Sequence, residues 1–205
     1  MKYEAIDSKL FVKNRSRFYK ELKPNALALF NSNDIMPTNA DGTMPFRQNN
    51  DLFHLTGVDQ EESTLLIFPD ASQEKHREIL FLKETNAHIA IWEGSKLDKK
   101  QAFEISGIKT VYWLDKFEVI LKELIAEVQV VYLNTNEHLR AKIEVETRDA
   151  RFGKWMRETY PNINYELSAP IMHKIRAVKD SLEIALIQKA CNLTESAFRK
   201  ILKII

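Results

Sequence analysis

The side chains that could do chemistry in this chain are spread along it rather than gathered. Five histidines occur, and no two have the HxxxH spacing that places two imidazoles on one helix face to bind a metal ion. The carboxylates are numerous but scattered, without the paired spacing of a metal site. No serine lies in a GxSxG turn. We therefore expect no catalytic residue and no metal ligand in this chain.

The isolated histidines and the single cysteine have simpler explanations than catalysis. His76 and His138 lie in polar stretches that are typical of surface turns, where an imidazole is solvated. Cys191 lies among apolar residues at helical spacing, which predicts a small buried hydrophobe rather than a reactive thiol. One cysteine cannot form an internal disulfide, which is compatible with a reducing compartment. We expect a cytoplasmic protein.

The most distinctive segment is residues 46–57, with the sequence FRQNNDLFHLTG. Its first half is polar, and its second half alternates apolar and less apolar side chains, which predicts a strand with one buried face. Arg47 offers a fork of N–H donors that Asp51 or a neighbouring carboxylate can accept. We therefore predict a structural role for the segment, with a partly buried Arg47–Asp51 ion pair.

Size and composition limit the function classes. A chain of 205 residues is long enough for one domain, or for one domain and a fragment of another. The hydrophobic share of 44% and the charged share of 29% are ordinary for a globular protein with a core. A net charge of +1 predicts no nucleic-acid partner, and the lack of a long apolar run predicts no membrane partner.

Apolar periodicity predicts an α/β fold. The first half reads as a helix starting at Asp7 or Ser8 and ending near Leu22, strands at 26–30, 64–68 and 79–82, and a long loop at 31–45. Short connections between these strands favour antiparallel pairing. Later strands at 110–113 and 128–133 alternate with helices at 97–106, 115–127 and 145–160, the pattern of parallel pairing. We therefore predict a mixed β-sheet flanked by helices in three layers.

The end of the chain predicts a domain boundary. Residues 171–179 suggest a connector, and Asp180 and Glu183 have the spacing of a capping box. Apolar or small residues then recur every three or four positions up to the last residue: Ile184, Ile187, Cys191, Thr194, Phe198, Ile201 and Ile205. Such a face normally packs on something that follows it. We predict a domain at 1–173, then at 174–205 a linker and the first helix of a truncated domain, the alternative being a terminal helix docked on its own domain.

Three segments together resemble the N-terminal domain of Xaa-Pro aminopeptidases, the aminopeptidase P group of creatinase- and prolidase-type metallopeptidases. Residues 46–57 are similar to the family signature, residues 91–97 to its Trp-x-Gly-x-x-Leu segment, and residues 172–184 to its domain junction. Asp180 replaces the usual serine of that junction, and both residue types cap helices. The positions that we identify as a structural signature are Arg47, Asn50, Asp51, Gly57, His173 and Arg176.

The resemblance implies a fold and a function. The fold would be the creatinase N-terminal, ribonuclease H-like domain, followed by a "pita-bread" peptidase domain. In the family, two Asp, one His and two Glu of that second domain hold two divalent metals, usually manganese, which activate a bridging water. The resemblance thus implies peptide substrates with proline in second position, a homo-oligomer, and no metal in this chain.

Trp92 is the residue of this chain that the resemblance connects with substrate. In some oligomeric family members the corresponding tryptophan reaches the substrate pocket of a neighbouring subunit, where an indole offers a flat apolar face. The alternative role is an aromatic plug that packs over the sheet.

Two other functions stay open at this point. One is the N-terminal domain of a Xaa-Pro dipeptidase, whose signature often departs at the Asn-x-Asp positions, so that Asn50 and Asp51 favour the aminopeptidase. The other is a non-catalytic protein-binding module of the same fold. The sequence that follows this chain would distinguish them by the presence or loss of the five metal ligands.

Overall fold

One six-stranded sheet organises the described part of the chain. The computed structural model describes residues 4–135 and 144–204, so His138 and Ile205 of the predictions above lie outside it. The strands are β1 (Ala26–Asn31), β2 (Thr64–Ile67), β3 (Glu78–Leu82), β4 (Thr110–Trp113), β5 (Val130–Leu133) and β6 (Asn164–Leu167). Their spatial order is β4-β3-β2-β1-β5-β6.

The sheet is mixed, as the sequence predicts. β1 pairs with β2 and β2 with β3 in antiparallel fashion, whereas β3–β4, β1–β5 and β5–β6 are parallel. The parallel partners follow helical connections, which a parallel crossover requires. β6 was not predicted: its four residues NYEL alternate polar and apolar side chains, but the stretch is short and none of its residues is buried at the sheet edge.

Eight α-helices surround the sheet in the described residues. They are α1 (Ser8–Tyr19), α2 (Asn50–Thr56), α3 (Ala87–Glu93), α4 (Lys99–Ser106), α5 (Phe117–Leu124), α6 (Arg148–Thr159), α7 (Ala169–Ala177) and α8 (Ser181–Ile201). The Asp7 side chain caps α1 as predicted, and the helix ends three residues before Leu22. The helix predicted from Asp115 begins instead as a 3-10 turn and becomes α-helical at Phe117.

Two apolar clusters cover the two faces of the sheet. Every residue of β1 is buried, with Ala26, Ala28 and Phe30 in one cluster and Leu27 and Leu29 in the other. Side chains of α1, α2, α4 and α7 complete the first cluster, and those of α5 and α6 complete the second. The three-layer α/β prediction is therefore confirmed.

A buried arginine joins the layer of α1, α2 and α4 to the sheet. The Arg15 guanidinium is fully buried and donates to the carbonyl oxygens of Leu55 and Ser106, at 2.8 and 2.9 Å. Its second terminal nitrogen lies 3.0 Å from a carboxylate oxygen of Glu78 at the start of β3. A cation near the carbonyl end of a helix is stabilising. Here the Arg15 cation hydrogen-bonds to carbonyl groups in the last turns of both α2 and α4.

Two segments have a different secondary structure from the predicted one. Residues 46–57 are a loop followed by α2 rather than a strand, because a side-chain cap at Asn49 and a left-handed Gly57 enclose a helical turn. Residues 171–179, predicted as a connector, lie mostly in α7, which buries Met172 and Ile175 against the sheet. In both cases packing decides the structure of a short apolar run.

The last helix, α8, starts where the sequence predicts. Asp180 and Glu183 form a complete capping box. No residue of α8 is buried, and its exposed apolar side chains include Ile184, Ile187, Phe198 and Ile201. Cys191 is also exposed, so the prediction of a buried thiol is wrong for this chain. The boundary between 1–173 and 174–205 stays a prediction.

We expect this chain to self-associate through the apolar face of α8, because an uninterrupted exposed apolar stripe favours association. Deletion of residues 181–205 should weaken self-association at least about tenfold, as measured by sedimentation velocity over a concentration series. Phe198→Ser should act in the same direction. Asn192→Ser, a change of one polar residue of α8 into another, is the matched control. A monomeric chain whose α8 amides are strongly protected from hydrogen exchange would contradict this expectation.

Candidate functional site

The polar half of the signature segment forms a closed hydrogen-bond network. The buried Gln48 amide donates to the carbonyl oxygens of Val58 and Gln60, at 3.0 and 2.8 Å. Its own oxygen accepts the N–H of Asn49 at 2.7 Å. Gln48 thereby fastens the residue before α2 to the chain that leaves α2, so that the helix is held from both ends.

Asn49 starts α2 and connects it to α6. Its side-chain oxygen accepts the N–H groups of Asp51 and Leu52, at 2.9 and 3.3 Å, which is an N-cap. Its amide nitrogen lies 3.4 Å from the Asp149 carboxylate. Asn50, which we placed in the structural signature, is the exposed first residue of α2. The contacts of the segment therefore run through Asn49 instead.

Gly57 ends α2 in a conformation that suits glycine. Its φ is +70°, in the left-handed region, and its N–H donates to the Phe53 carbonyl at 2.8 Å. A Cβ built at this position would lie 2.3 Å from the ring of Phe11, a buried side chain of α1. Both the backbone and the space thus require glycine at position 57.

Asp51 pairs with Arg176 rather than with Arg47. One Asp51 carboxylate oxygen lies 2.6 Å from an Arg176 guanidinium nitrogen. The predicted Arg47–Asp51 pair is wrong, because the first turn of α2 directs Asp51 toward α7 while Arg47 precedes the cap and is exposed. The backbone carbonyl of Arg47 accepts a hydrogen bond from Asn33 at 2.9 Å. The Asp51–Arg176 pair brings two of the three signature segments into contact.

The same region holds the start of α8. Arg17 donates to the Val178 carbonyl at 3.2 Å, and Lys13 forms an ion pair with Asp180. The His54 imidazole lies 4.0 Å from the Glu183 carboxylate. Burial, reinforced by the nearby Arg176 cation, lowers the pKa of His54 to about 4, so this imidazole is neutral at pH 7. The contacts of α1 and α2 thus fix how the chain enters α8.

The other histidines that we considered do not form a site. His173 is exposed on α7. His76 is buried in a short 3-10 turn, and burial lowers its pKa, so the predicted solvated role is wrong. The described residues contain no group of three or more His, Cys, Asp or Glu that could hold a metal ion.

A half-buried carboxyl group, Asp149, lies where α6 begins beside the carboxyl ends of β1 and β5. Asn31 donates to one of its oxygens at 3.0 Å, and Asn134 lies 3.5 Å from the other, close to the Asn49 amide already described. Arg148 donates to the Ser32 hydroxyl at 2.5 Å. Burial raises the pKa of Asp149 to about 7, against the opposing effects of Asn31 and Arg148.

This cluster has no local sequence signature, because its members are far apart in the chain. One feature of the sequence could have indicated it. Asn31 ends the buried strand β1 and Asn134 directly follows the buried strand β5, and polar side chains often converge at such strand ends. The Asp149 carboxyl oxygens face the side-chain amides of Asn31, Asn49 and Asn134 rather than other carboxylates or imidazoles, which indicates a structural role and not a metal site. The cluster links the loop after β1 and the cap of α2 to α6.

Trp92 lies on the short helix α3, not in a loop. Asn86 caps the helix, and its side-chain oxygen accepts the N–H groups of His88 and Ile89 at 2.9 Å. The Trp92 side chain is 81% exposed and that of Ile91 is 74% exposed. The alternative of an aromatic plug over the sheet is therefore wrong. An exposed indole next to an exposed isoleucine is an apolar surface that can contact another molecule.

A cavity of about 630 Å³ lies between the chain entering α1, the residues that follow α2 and one side of α4. Its lining includes Ile6, Phe11, Gln60, Lys96 and Ile105. The Gln60 oxygen accepts the N–H of Leu97 at 2.7 Å, and Lys96 forms an ion pair with Glu61. These contacts hold the chain that follows α3 against the cavity wall.

No helix among the described residues is long and apolar enough to cross a bilayer.

Comparisons with known proteins agree with the three segments. The sequence profile described as "Aminopeptidase P, N-terminal domain" matches residues 11–132. The Xaa-Pro aminopeptidase of Escherichia coli (strain K12) is 25% identical over 194 residues, which are 94% of this chain and 44% of that protein. The Xaa-Pro aminopeptidase of Haemophilus influenzae is 24% identical over 187 residues, 90% of this chain and 40% of that protein.

Solved structures show the same architecture. An aminopeptidase P structure from Bacillus anthracis superposes with a TM-score of 0.80 at 26% identity, covering 90% of this chain and 43% of that chain. Zn-substituted E. coli aminopeptidase P in complex with product has a TM-score of 0.73 at 24% identity, covering 95% of this chain and 44% of that chain. This chain spans less than half the length of the relatives that it matches.

Gly57→Ala should destabilise the chain more than the same change at Gly107, which has a similar left-handed backbone with a φ of +72°. Both variants place a Cβ in the left-handed region of the backbone, which costs about 1–2 kcal/mol. At Gly107 the new methyl meets the tip of the half-exposed Val12, whereas at Gly57 it meets the buried Phe11 ring. We expect an additional loss of about 1–3 kcal/mol for Gly57→Ala in urea unfolding. Equal losses of stability in the two variants would show that the Phe11 ring moves to make room for the new methyl group.

Asp149 should lower the free energy of unfolding between pH 5 and pH 8, and this contribution is measured as the difference between wild type and Asp149→Asn, because the lowered pKa of His54 acts in the opposite direction in the lower part of this range. The pKa of Asp149 is about 7 in the fold against an ordinary value of 3.8 for an aspartic acid, so the folded state binds more protons in this window and its stability from this group falls as the pH rises. Asp149→Asn should remove about 2–3 kcal/mol of this dependence, as measured by urea unfolding at both pH values.

The exposed Asp115 supplies the control, since Asp115→Asn should leave the pH profile of the wild type unchanged. Parallel profiles for wild type and Asp149→Asn would show that Asp149 is already ionised at pH 5.

Proposed function

Because this chain belongs to the aminopeptidase P N-terminal domain family, we propose that it is the non-catalytic N-terminal part of a Xaa-Pro aminopeptidase. Such an enzyme is a hydrolase that removes the N-terminal residue preceding proline from peptides. The observation that carries the proposal is the match of the family profile over residues 11–132, supported by relatives named Xaa-Pro aminopeptidase.

We place the catalytic metals outside this chain. The proposed enzyme would use two divalent cations, which we propose to be manganese, to activate the attacking water. The described residues do not fit that role, because they contain no group of three or more His, Cys, Asp or Glu that could hold a metal ion, and amide donors face the Asp149 carboxyl group. This chain would contribute shape to the substrate pocket and contacts between subunits.

The junction around Asp51 and Arg176 supports this division of labour. Their ion pair, the Arg17–Val178 hydrogen bond and the Lys13–Asp180 pair fix the direction in which α8 leaves the sheet. The orientation of a peptidase domain that followed α8 would therefore depend on these contacts. In the proposal, the signature segment therefore acts on catalysis through domain orientation and not through chemistry.

Trp92 is our candidate for a direct contact with substrate. An indole that is 81% exposed offers a rigid flat face to a proline ring and loses little side-chain entropy on binding. In a homo-oligomer the ring could serve the pocket of a neighbouring subunit. In this proposal the enzyme is cytoplasmic, and its substrates are peptides with proline in second position.

Two other functions would use the same fold. A Xaa-Pro dipeptidase is less favoured, because the relatives described above are named aminopeptidases. A non-catalytic binding module would use the exposed Ile91 and Trp92 to hold a protein. Loss of the downstream metal ligands in the longer gene would support the binding module.

In the full-length enzyme, Trp92→Ala should lower kcat/KM for Xaa-Pro peptides about ten- to two-hundredfold, which corresponds to about 1–3 kcal/mol of lost apolar contact. The free energy of unfolding should change by less than about 0.5 kcal/mol, because the side chain is exposed. Steady-state kinetics with an Xaa-Pro peptide, together with urea unfolding, measures both quantities.

Ile91→Ala is the matched control, since Ile91 is a similarly exposed apolar residue on the same helix but has no ring. It should leave kcat/KM within about twofold of wild type. Equal kinetics for Trp92→Ala and wild type would remove Trp92 from the substrate pocket. A wild-type enzyme that hydrolyses Xaa-Ala peptides as readily as Xaa-Pro peptides, or neither, would overturn the proposed function.

A further inference from the structure

The helix that carries Trp92 has few means of holding its position. α3 spans seven residues, Ala87–Glu93, and none of its side chains is buried. A helix of this length is not stable by itself in water. Its first turn is capped by Asn86, but this cap is local and fixes only how the helix starts.

The other end of α3 is tied to the sheet by one lysine. The Lys83 ammonium lies 2.8 Å from the Glu93 carboxylate and 3.0 Å from the Glu62 carboxylate. Lys83 directly follows β3, and Glu62 lies two residues before β2. The bond to Glu93, then that to Glu62, raises the pKa of Lys83, and Lys83 in turn lowers the pKa of Glu93.

The position of Glu93 makes this lysine important for the helix. Glu93 is the last residue of α3, and a carboxylate at the carbonyl end of a helix opposes the helix dipole. A cation bonded to that carboxylate removes the conflict. Lys96 also lowers the pKa of Glu93, but its ammonium is paired with Glu61.

The anchor on the sheet side is a fixed point. Glu62 lies between the buried Gln60 and the buried Ser63, and its own backbone has a φ of +49°. Ser63 donates its N–H to the Ser32 hydroxyl at 3.2 Å and so joins the end of β1. The Lys83 bridge therefore connects the residue next to Trp92 to a rigid part of the fold.

We propose that Lys83 is a positioning residue for Trp92: by bridging Glu62 and Glu93 it sets the direction in which α3 presents the indole. The inference rests on the proposed function, in which Trp92 contacts the substrate. Lys83 itself would touch no substrate atom.

The test is a double-mutant cycle in the full-length enzyme. Lys83→Met should lower kcat/KM for Xaa-Pro peptides about two- to tenfold, and Lys83→Arg should restore most of the loss because it keeps the cation. In the Trp92→Ala background, Lys83→Met should have no further effect. The free energy of unfolding should stay unchanged in all variants, and the amides of residues 87–93 should exchange faster in Lys83→Met.

Lys116→Met is the matched control, because Lys116 forms an exposed ion pair with Asp115 away from α3. It should leave kcat/KM and amide exchange unchanged. If Trp92→Ala impairs the enzyme but Lys83→Met does not, or if their effects simply add, this inference is overturned while the proposed function stands. If Trp92→Ala has no effect, the substrate role of Trp92 fails and the inference fails with it.

Discussion

The arrangement of this protein depends on the buried guanidinium of Arg15. A fully buried cation needs compensating partners, and the two terminal nitrogens of Arg15 bond carbonyl groups in the last turns of α2 and α4 and the Glu78 carboxylate. Three elements that are distant in sequence must therefore meet at one point of α1. The left-handed glycines that end α2 and α4 allow those carbonyl groups to converge on it.

The signature segment gains its meaning from this packing. Gln48 and Asn49 hold the start of α2, and Arg15 and Gly57 hold its end. The position of α2 relative to the sheet is therefore fixed. The surface of α2 carries Asp51, which binds Arg176. The segment is thus a rigid support for the chain that leaves the sheet toward α8, and chemistry is not required to explain its composition.

Two exposed helices, α3 and α8, are not fixed by packing in the way that α2 is. α3 and α8 bury none of their side chains, and both present apolar residues to the outside. A helix without core contacts takes its orientation from end caps, which contribute about 0.5–2 kcal/mol each, and from surface ion pairs, which contribute less than about 1 kcal/mol each. Such elements suit contacts with another domain or subunit, since their own fold does not use their apolar faces.

The sequence by itself determined the elements whose signals are local. The continuous apolar runs predicted β1, β2 and β3, the later alternation predicted the parallel half of the sheet, and the capping residues Asp7 and Asp180 started their helices as expected. The three signature segments also identified the family. These features depend on residues that are close together in the chain, where propensity and capping act directly.

Only the tertiary structure decided the rest. Residues 50–56 form a helix although their pattern alternates, because Leu52 and Leu55 pack into the core from a capped turn. The partner of Asp51 is 125 residues away, and the amides around Asp149 come from three separate segments, so no spacing in the sequence announces either contact. Which distant residues come into contact depends on how the helical layers pack on the sheet, and that packing depends on the whole sequence.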